Sequence, residues 1–94
     1  MNDELAAIER LMTLDPAVVT RAIGDGPVLA NLAGYAVDEA IELWDAAEVR
    51  WERGDDDEAR YCEQEASAWS DTARLLRDLA VAASVATRRQ ERSA

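Results

Sequence analysis

Two long stretches of the sequence repeat apolar residues every three or four positions, which is the spacing of a buried stripe on a helix. The stripe in residues 28–53 runs through Leu29, Leu32, Ala36, Ala40, Leu43, Ala47 and Trp51, and Val37, Ile41 and Trp44 widen it. The stripe in residues 56–90 runs through Ala59, Cys62, Ala66, Trp69, Ala73, Leu76, Ala80 and Ala83. The second stripe is a heptad repeat made mainly of small residues, so it predicts a long helix that a facing helix approaches closely.

The segment between the two stretches, RWERGDDDEARYCEQE, has the features of a tight turn. Gly54 follows the last periodic residue and can adopt the left-handed conformation that ends many helices. Asp55 or Asp56 can then cap the next helix, with Glu58 in its first turn. The sequence therefore predicts that the two long helices fold back on each other as an antiparallel hairpin.

Two short helices are predicted ahead of the hairpin. NDELAAIERLM has a capping residue followed by apolar residues on one face, and an Asp-Pro pair begins a second segment that the cluster Gly24-Asp25-Gly26-Pro27 ends. We predict one all-α domain over residues 1–94, a small helical bundle in which two short helices pack on the long hairpin. The predicted helices cover about residues 3–14, 16–23, 28–53 and 56–90.

The composition narrows the chemistry that this chain can perform. Histidine is absent and Cys62 is the single cysteine, which removes the usual zinc sites and the Ser-His and Cys-His catalytic sets. We predict a non-enzymatic protein without a cofactor. The sequence shows no signal peptide, and its longest apolar run, residues 79–86, is too short to cross a bilayer. These observations predict a cytoplasmic protein that does not bind membranes.

The predicted core is thin, because alanine supplies much of the apolar content and phenylalanine is absent. Residues 79–86 are also apolar on nearly every side of their helix, which favours burial on all sides. The short N-terminal helices can supply this cover where they pack on the hairpin. Failing that, a second copy of the chain supplies it, and a homo-oligomer is predicted. The predicted assembly seam consists of Trp69, Leu76, Leu79, Ala80, Ala83 and Val85.

The chain carries a formal net charge of −10, from 20 acids against 10 arginines and no lysine. This excess of acid argues against direct binding of nucleic acid, which needs clustered cations. Acids recur every three or four residues along one side of the third predicted helix and continue through the turn. This predicted acidic face consists of Asp38, Glu42, Asp45, Glu48, Glu52, Asp55, Asp56, Asp57 and Glu58.

A dense row of carboxylates predicts a protein partner with a basic surface. In its sharpest form, the row imitates phosphates and the protein inhibits a nucleic-acid-processing complex, as small phage-encoded inhibitors do. An alternative is a structural or adaptor subunit of a larger assembly. The row is also typical of a solvated helix face that only keeps the protein soluble or adapts it to salt.

Asp38, Glu39 and Glu42 place three carboxylates within about one helical turn, in the stretch YAVDEAIELWDAAE. This pattern resembles the first metal-binding motif of all-α nucleotide pyrophosphatases of the MazG type. That resemblance implies Mg²⁺ at these three residues and hydrolysis of a nucleoside triphosphate. The second motif of that family, E-x-x-D on the next helix, is missing from residues 56–80.

The stretch RGDDDEARYCEQEA resembles the turn of a tetratricopeptide-type unit. Gly54 occupies the turn, and Ala47, Ala59 and Ala66 are small where such units need close helix contact. A single unit is not a solenoid, so this resemblance implies hairpin geometry and no particular partner.

Overall fold

The computed structural model describes residues 15–93, which form three α-helices and no strand. Helix α1 spans Pro16–Ala22, α2 spans Gly26–Arg53, and α3 spans Asp56–Ser93. Helices α2 and α3 pack against each other as a hairpin in a molecule of 61 × 20 × 15 Å. The predicted all-α hairpin is therefore confirmed. Helix α2 begins two residues earlier than predicted, at Gly26, and α3 continues three residues beyond the predicted end at 90.

The pair of short N-terminal helices is not confirmed. The structure contains α1 where the second of them was predicted, over residues 16–23, but the first, residues 3–14, lies outside the described residues. Helix α1 begins as the sequence indicates, because the side chain of Asp15 accepts a hydrogen bond of 2.9 Å from the Ala17 amide and Pro16 follows the cap. Asp25 caps α2 in the same way, accepting a bond of 3.1 Å from the Val28 amide.

The turn between α2 and α3 is a Schellman motif centred on Gly54. Gly54 has φ 81° and ψ 12°, the left-handed conformation that glycine adopts at low cost. The Asp55 amide donates to the Arg50 carbonyl at 2.9 Å, and the Gly54 amide donates to the Trp51 carbonyl at 3.1 Å. Helix α3 then begins at once, with the Ala59 amide donating to the Asp55 carbonyl. Only two residues separate the helices, and the chain reverses there so that α2 and α3 pack side by side.

A seam of small residues joins the two long helices. On each helix the small residues recur at seven-residue intervals: Gly26, Ala33, Ala40 and Ala47 on α2, and Ala59, Ala66, Ala73 and Ala80 on α3. All seven alanines are buried. A seven-residue repeat keeps a seam facing its partner along a left-handed supercoil, and methyl side chains let the two backbones approach closely.

Gly26 shows how close the approach is at the open end of the hairpin. A Cβ atom added to it would lie 3.1 Å from Ser84 Oγ and 3.5 Å from the Ala80 carbonyl oxygen. Leu29 and Leu76 are the only leucines among residues 15–93 that are almost completely buried, at 1% and 0% exposure. The core is therefore as thin as the composition predicts.

Of the large apolar residues predicted for the α2 stripe, Leu29 is buried and Leu32 and Val37 pack against the core, but three others lie largely outside it. Trp51, Trp44 and Ile41 keep 41%, 43% and 52% of their surface exposed. Ala33 is buried, whereas Leu32, predicted for the stripe, is half-buried. For Trp51, Trp44 and Ile41 the prediction failed, because the small seam residues occupy the positions between the two helices and these larger side chains lie along the flanks.

Aromatic and charged side chains on the flanks make further contacts between or near the ends of the two long helices. Tyr35 of α2 meets Trp69 of α3 edge to face, with ring centroids 5.6 Å apart. Nearer the turn, the Arg60 guanidinium lies 5.7 Å from the centre of the Trp51 ring. Arg50 forms an ion pair with Glu58 across the turn. These contacts join α2 and α3 on the flanks as well as in the seam.

Candidate functional site

The carboxylates predicted as a magnesium site are not brought together as a ligand set. Within residues 15–93, no group of three or more Asp, Glu or Cys residues is placed to hold a metal ion. Asp38 and Glu42 are exposed, and Glu39 is half-buried. In the same part of the chain, none of the helices has the length and hydropathy that a membrane span requires.

The predicted acidic residues do lie on a common exposed face. Asp38, Asp45 and Glu52 each follow a seam alanine of α2 by five residues, which places them about 140° from the seam. Glu42 and Glu48 are exposed beside them. No ion-pair partner lies within reach of these five carboxylates among the described residues. The row on α2 is therefore an uncompensated strip of negative charge on the outside of the hairpin.

The acids of the turn and of the start of α3 continue the row, but two of them are paired. Glu58 pairs with Arg50, and Asp57 accepts a hydrogen bond of 3.1 Å from Arg60. Both acids remain open to solvent, with side chains 63% and 101% exposed. Ion pairs this exposed contribute little to stability, in the range of about 0–1 kcal/mol.

The residues of the predicted assembly seam are divided between the core and the surface. Leu76, Ala80 and Ala83 are buried within one chain, and Trp69 and Leu79 are half-buried against the same core. Val85 is 37% exposed. Assembly through these residues stays a prediction. Of the six, the exposed Val85 and the half-buried Trp69 and Leu79 are the ones that a second copy could contact.

A groove lies between α2 and α3 along one flank of the hairpin, and we call it the interhelical groove. At the open end it forms a depression of about 590 Å³, and nearer the middle a second depression of about 330 Å³. Both depressions are lined in part by Arg77 and lie between the same two helices, so we describe them together as one groove. Its lining residues are Gly26, Pro27, Ala30, Ala33, Gly34, Val37, Ala40, Ile41 and Trp44 on α2, and Ser70, Ala73, Arg74, Arg77, Ala80, Val81, Ser84 and Arg88 on α3.

The floor of the interhelical groove is made of small seam residues, and its α2 side carries large apolar ones. Ile41 and Trp44 are about half exposed there, and Val81 on the α3 side is 58% exposed. The remaining α3 side is cationic, because it carries Arg74 and Arg77. Such a groove has the chemistry of a docking surface for another polypeptide, with apolar contact below and charged groups at one edge.

Sequence reasoning missed this groove, although the seam repeat contains the signal. The residue that follows each seam alanine of α3 points to the same flank, and the residues in those positions are Arg60, Ser67, Arg74 and Val81, with Arg88 one heptad further. Projecting the heptad one residue past the seam places Arg74 and Arg88 on one edge, whereas Arg77, four residues past Ala73, joins that edge only in the packed hairpin.

Comparison with known protein families assigns the chain to one of them. The family described as Chap-C, the TY-Chap C-terminal domain, matches residues 1–83, so the chain belongs to this family. Searches among curated proteins and among solved structures found no match. Membership of a chaperone-type domain family indicates a role in protein interaction and is consistent with the predicted absence of catalysis.

Proposed function

We propose that this member of the TY-Chap C-terminal domain family is a non-catalytic, chaperone-like module that holds a segment of a partner protein in the interhelical groove. The observation that carries the proposal is the exposure of Ile41, Trp44 and Val81 along that groove, at 52%, 43% and 58%. The hairpin does not need these side chains for its own closure, since the alanine seam closes it. Exposed large apolar side chains that line a surface depression mark a candidate interaction site.

Docking in the groove would recover free energy from each of these side chains. Full burial of a large apolar side chain contributes about 1.5–3 kcal/mol, so covering the exposed half contributes roughly 1 kcal/mol for each residue. The three together supply about 3 kcal/mol before the costs of association are subtracted. This amount suits a module that adds one part of a larger interface.

The test uses the full chain as bait in lysate of its source organism, with groove variants Ile41→Asp and Val81→Asp. Val49→Asp is the matched control, because Val49 is 43% exposed on α2 and does not line the groove. We expect a partner that the unchanged chain and Val49→Asp retain and that both groove variants lose, while circular dichroism shows equal helix content. Retention of the same partner by the groove variants would contradict the proposal.

The acidic face is a second candidate surface, for which a basic partner is proposed. Support comes from the five α2 carboxylates, which are exposed and have no ion-pair partner within residues 15–93. In the sharpest form of this proposal, the partner is a nucleic-acid-processing complex that the acidic face inhibits by imitating phosphates.

Paired charge variants separate this second surface from the groove. Asp45→Asn with Glu52→Gln removes two charges from the acidic face, and Asp78→Asn with Glu91→Gln removes two exposed charges elsewhere. Under the acidic-face proposal, the first pair weakens a salt-sensitive complex and the second leaves it unchanged. Equal effects of the two pairs would show that only net charge matters.

A further inference from the structure

We propose that the occupant of the interhelical groove is an amphipathic helix that carries acidic residues beside its apolar stripe. This inference rests on the proposed groove-binding function and adds the chemical class of the partner segment. It differs from the partner expected for the acidic face, because the two surfaces have opposite charge.

The charge of the groove is the reverse of the charge of the chain. The sequence has 20 acids and 10 arginines, yet the groove is lined by Arg74, Arg77 and Arg88 and by no acid. Within residues 15–93, neither Arg77 nor Arg88 has a carboxylate at ion-pair distance. Arg74 has only Asp71, at 3.5 Å and largely exposed. Two or three cationic groups at the edge of an apolar groove are therefore available to carboxylates of a partner.

The dimensions of the groove favour a helix of about four to five turns. Arg77 and Arg88 are eleven residues apart on α3, which is roughly 16 Å along the helix axis, and Arg74 extends the edge to roughly 21 Å. On the α2 side the groove runs from Pro27 to Trp44, roughly 26 Å. A helix of about 16 to 18 residues covers this length.

A helix from a partner also has the shape to lie in the groove between α2 and α3. The floor carries Ala30 and Gly34, whose small side chains admit the ridge of an incoming helix, as in helical bundles and helix-in-groove recognition. Such a helix would place apolar residues on Ile41, Trp44 and Val81. Acids one turn apart at one end would face Arg74 and Arg77, and an acid about eleven residues away would face Arg88.

The experiment uses three fluorescently labelled synthetic peptides of 18 residues with blocked ends. The first has a leucine stripe at helical spacing with glutamates beside it, the second has the same stripe with lysines, and the third has the glutamates with a scrambled stripe. Anisotropy titrations with the full chain give Kd at two salt concentrations. The protein variants are Arg77→Glu with Arg88→Glu, and Arg53→Glu as an exposed arginine outside the groove.

We expect the glutamate-flanked helix to bind and the other two peptides to bind at least about tenfold more weakly. Reversal of Arg77 and Arg88 should weaken the glutamate-flanked peptide by about tenfold and improve the lysine-flanked one, whereas Arg53→Glu should change neither. The stronger binding of the lysine-flanked peptide is a gain, and an unfolded variant could not produce it.

The outcomes distinguish this inference from the proposed function. Equal binding of the two striped peptides, with no effect of the arginine reversal, would overturn the acidic partner and keep the apolar groove. Failure of every peptide would overturn both. Sedimentation velocity of the free protein tests a second copy as occupant: self-association that the reversal of Arg77 and Arg88 abolishes would overturn the proposal of an external acidic helix.

Discussion

The alanine seam makes an unusual prediction about packing: a larger apolar residue in the seam should destabilise the hairpin. Ala66 is fully buried, with 0% exposure, in the middle of the α3 seam. Ala66→Leu adds three carbon atoms at this position. In a seam with free space, burying them would stabilise the fold by about 2.4 kcal/mol, at about 0.8 kcal/mol for each carbon.

Because α2 and α3 approach each other closely, we expect Ala66→Leu to destabilise the fold instead of stabilising it. Because Ala66 is fully buried in a seam of small residues, we expect the leucine to push the helices apart or leave its rotamer, which costs typically about 1–3 kcal/mol. The two alternatives differ by about 4 kcal/mol, a large fraction of the ~5–15 kcal/mol that holds a domain folded. A loss of about 2 kcal/mol would lower Tm by roughly 8–16 °C in a domain of this size.

Urea unfolding followed by circular dichroism at 222 nm measures the free energy of unfolding of both proteins. Ala82→Leu is the matched control, because Ala82 is exposed on the same helix and the change should stay within about 0.5 kcal/mol. Sedimentation velocity checks that the variant has the same oligomeric state as the unchanged chain. If Ala66→Leu unfolds at equal or higher urea with an unchanged slope, the seam has free space and the close-packed description of the hairpin is wrong.

Three further results follow from the structure, each measured by thermal or urea unfolding. Gly54→Ala should destabilise the fold by about 1–2 kcal/mol because φ is +81°, whereas Gly34→Ala, inside a helix, should stabilise it by about 0.5–1 kcal/mol. An added Cβ meets no atom within 4 Å at either position, so the difference comes from the backbone conformation alone. Equal effects of the two changes would contradict this explanation. Leu76→Ala should cost about 2–5 kcal/mol, and Leu79→Ala, at a half-buried position, clearly less; the reverse order would contradict the assigned core. Mg²⁺ at 10 mM should raise Tm no more than NaCl of equal ionic strength, whereas a site with Kd of ~0.1 mM would add about 2.7 kcal/mol and revive the magnesium hypothesis.

The turn and the α3 seam could be predicted because both depend on local signals. Gly54 is followed by acids suited to the start of a helix, and this combination alone specifies a Schellman motif and a new helix. The α3 seam could be found because its small residues keep a seven-residue period through Ala59, Ala66, Ala73 and Ala80. Short-range chemistry and strict periodicity are the two features that a single sequence displays directly.

The flanks of α2 could not be predicted in the same way. Periodicity places Trp44 and Trp51 near the stripe, since both follow a seam alanine by four residues. Whether such a residue is buried depends on the distance between the helices, which is set by the residues of both seams together. The same holds for the groove, because the position of Arg77 relative to Ile41 is a property of the packed pair and of neither helix alone.

The use of alanine in the seam also explains how so small a chain can expose apolar surface without losing its fold. When methyl groups close the hairpin, larger side chains such as Ile41, Trp44 and Val81 are left on a flank, where a substitution leaves the seam intact. The charges follow the same frame: acids lie about 140° from the α2 seam, Arg74 and Arg88 lie about 100° from the α3 seam, and Arg77 lies nearer to it, at about 40°. One heptad frame thus specifies a rigid scaffold and two surfaces of opposite charge. Under the proposed function, the residues beside the seam select the partner, and the residues within the seam determine only whether there is a hairpin to present them.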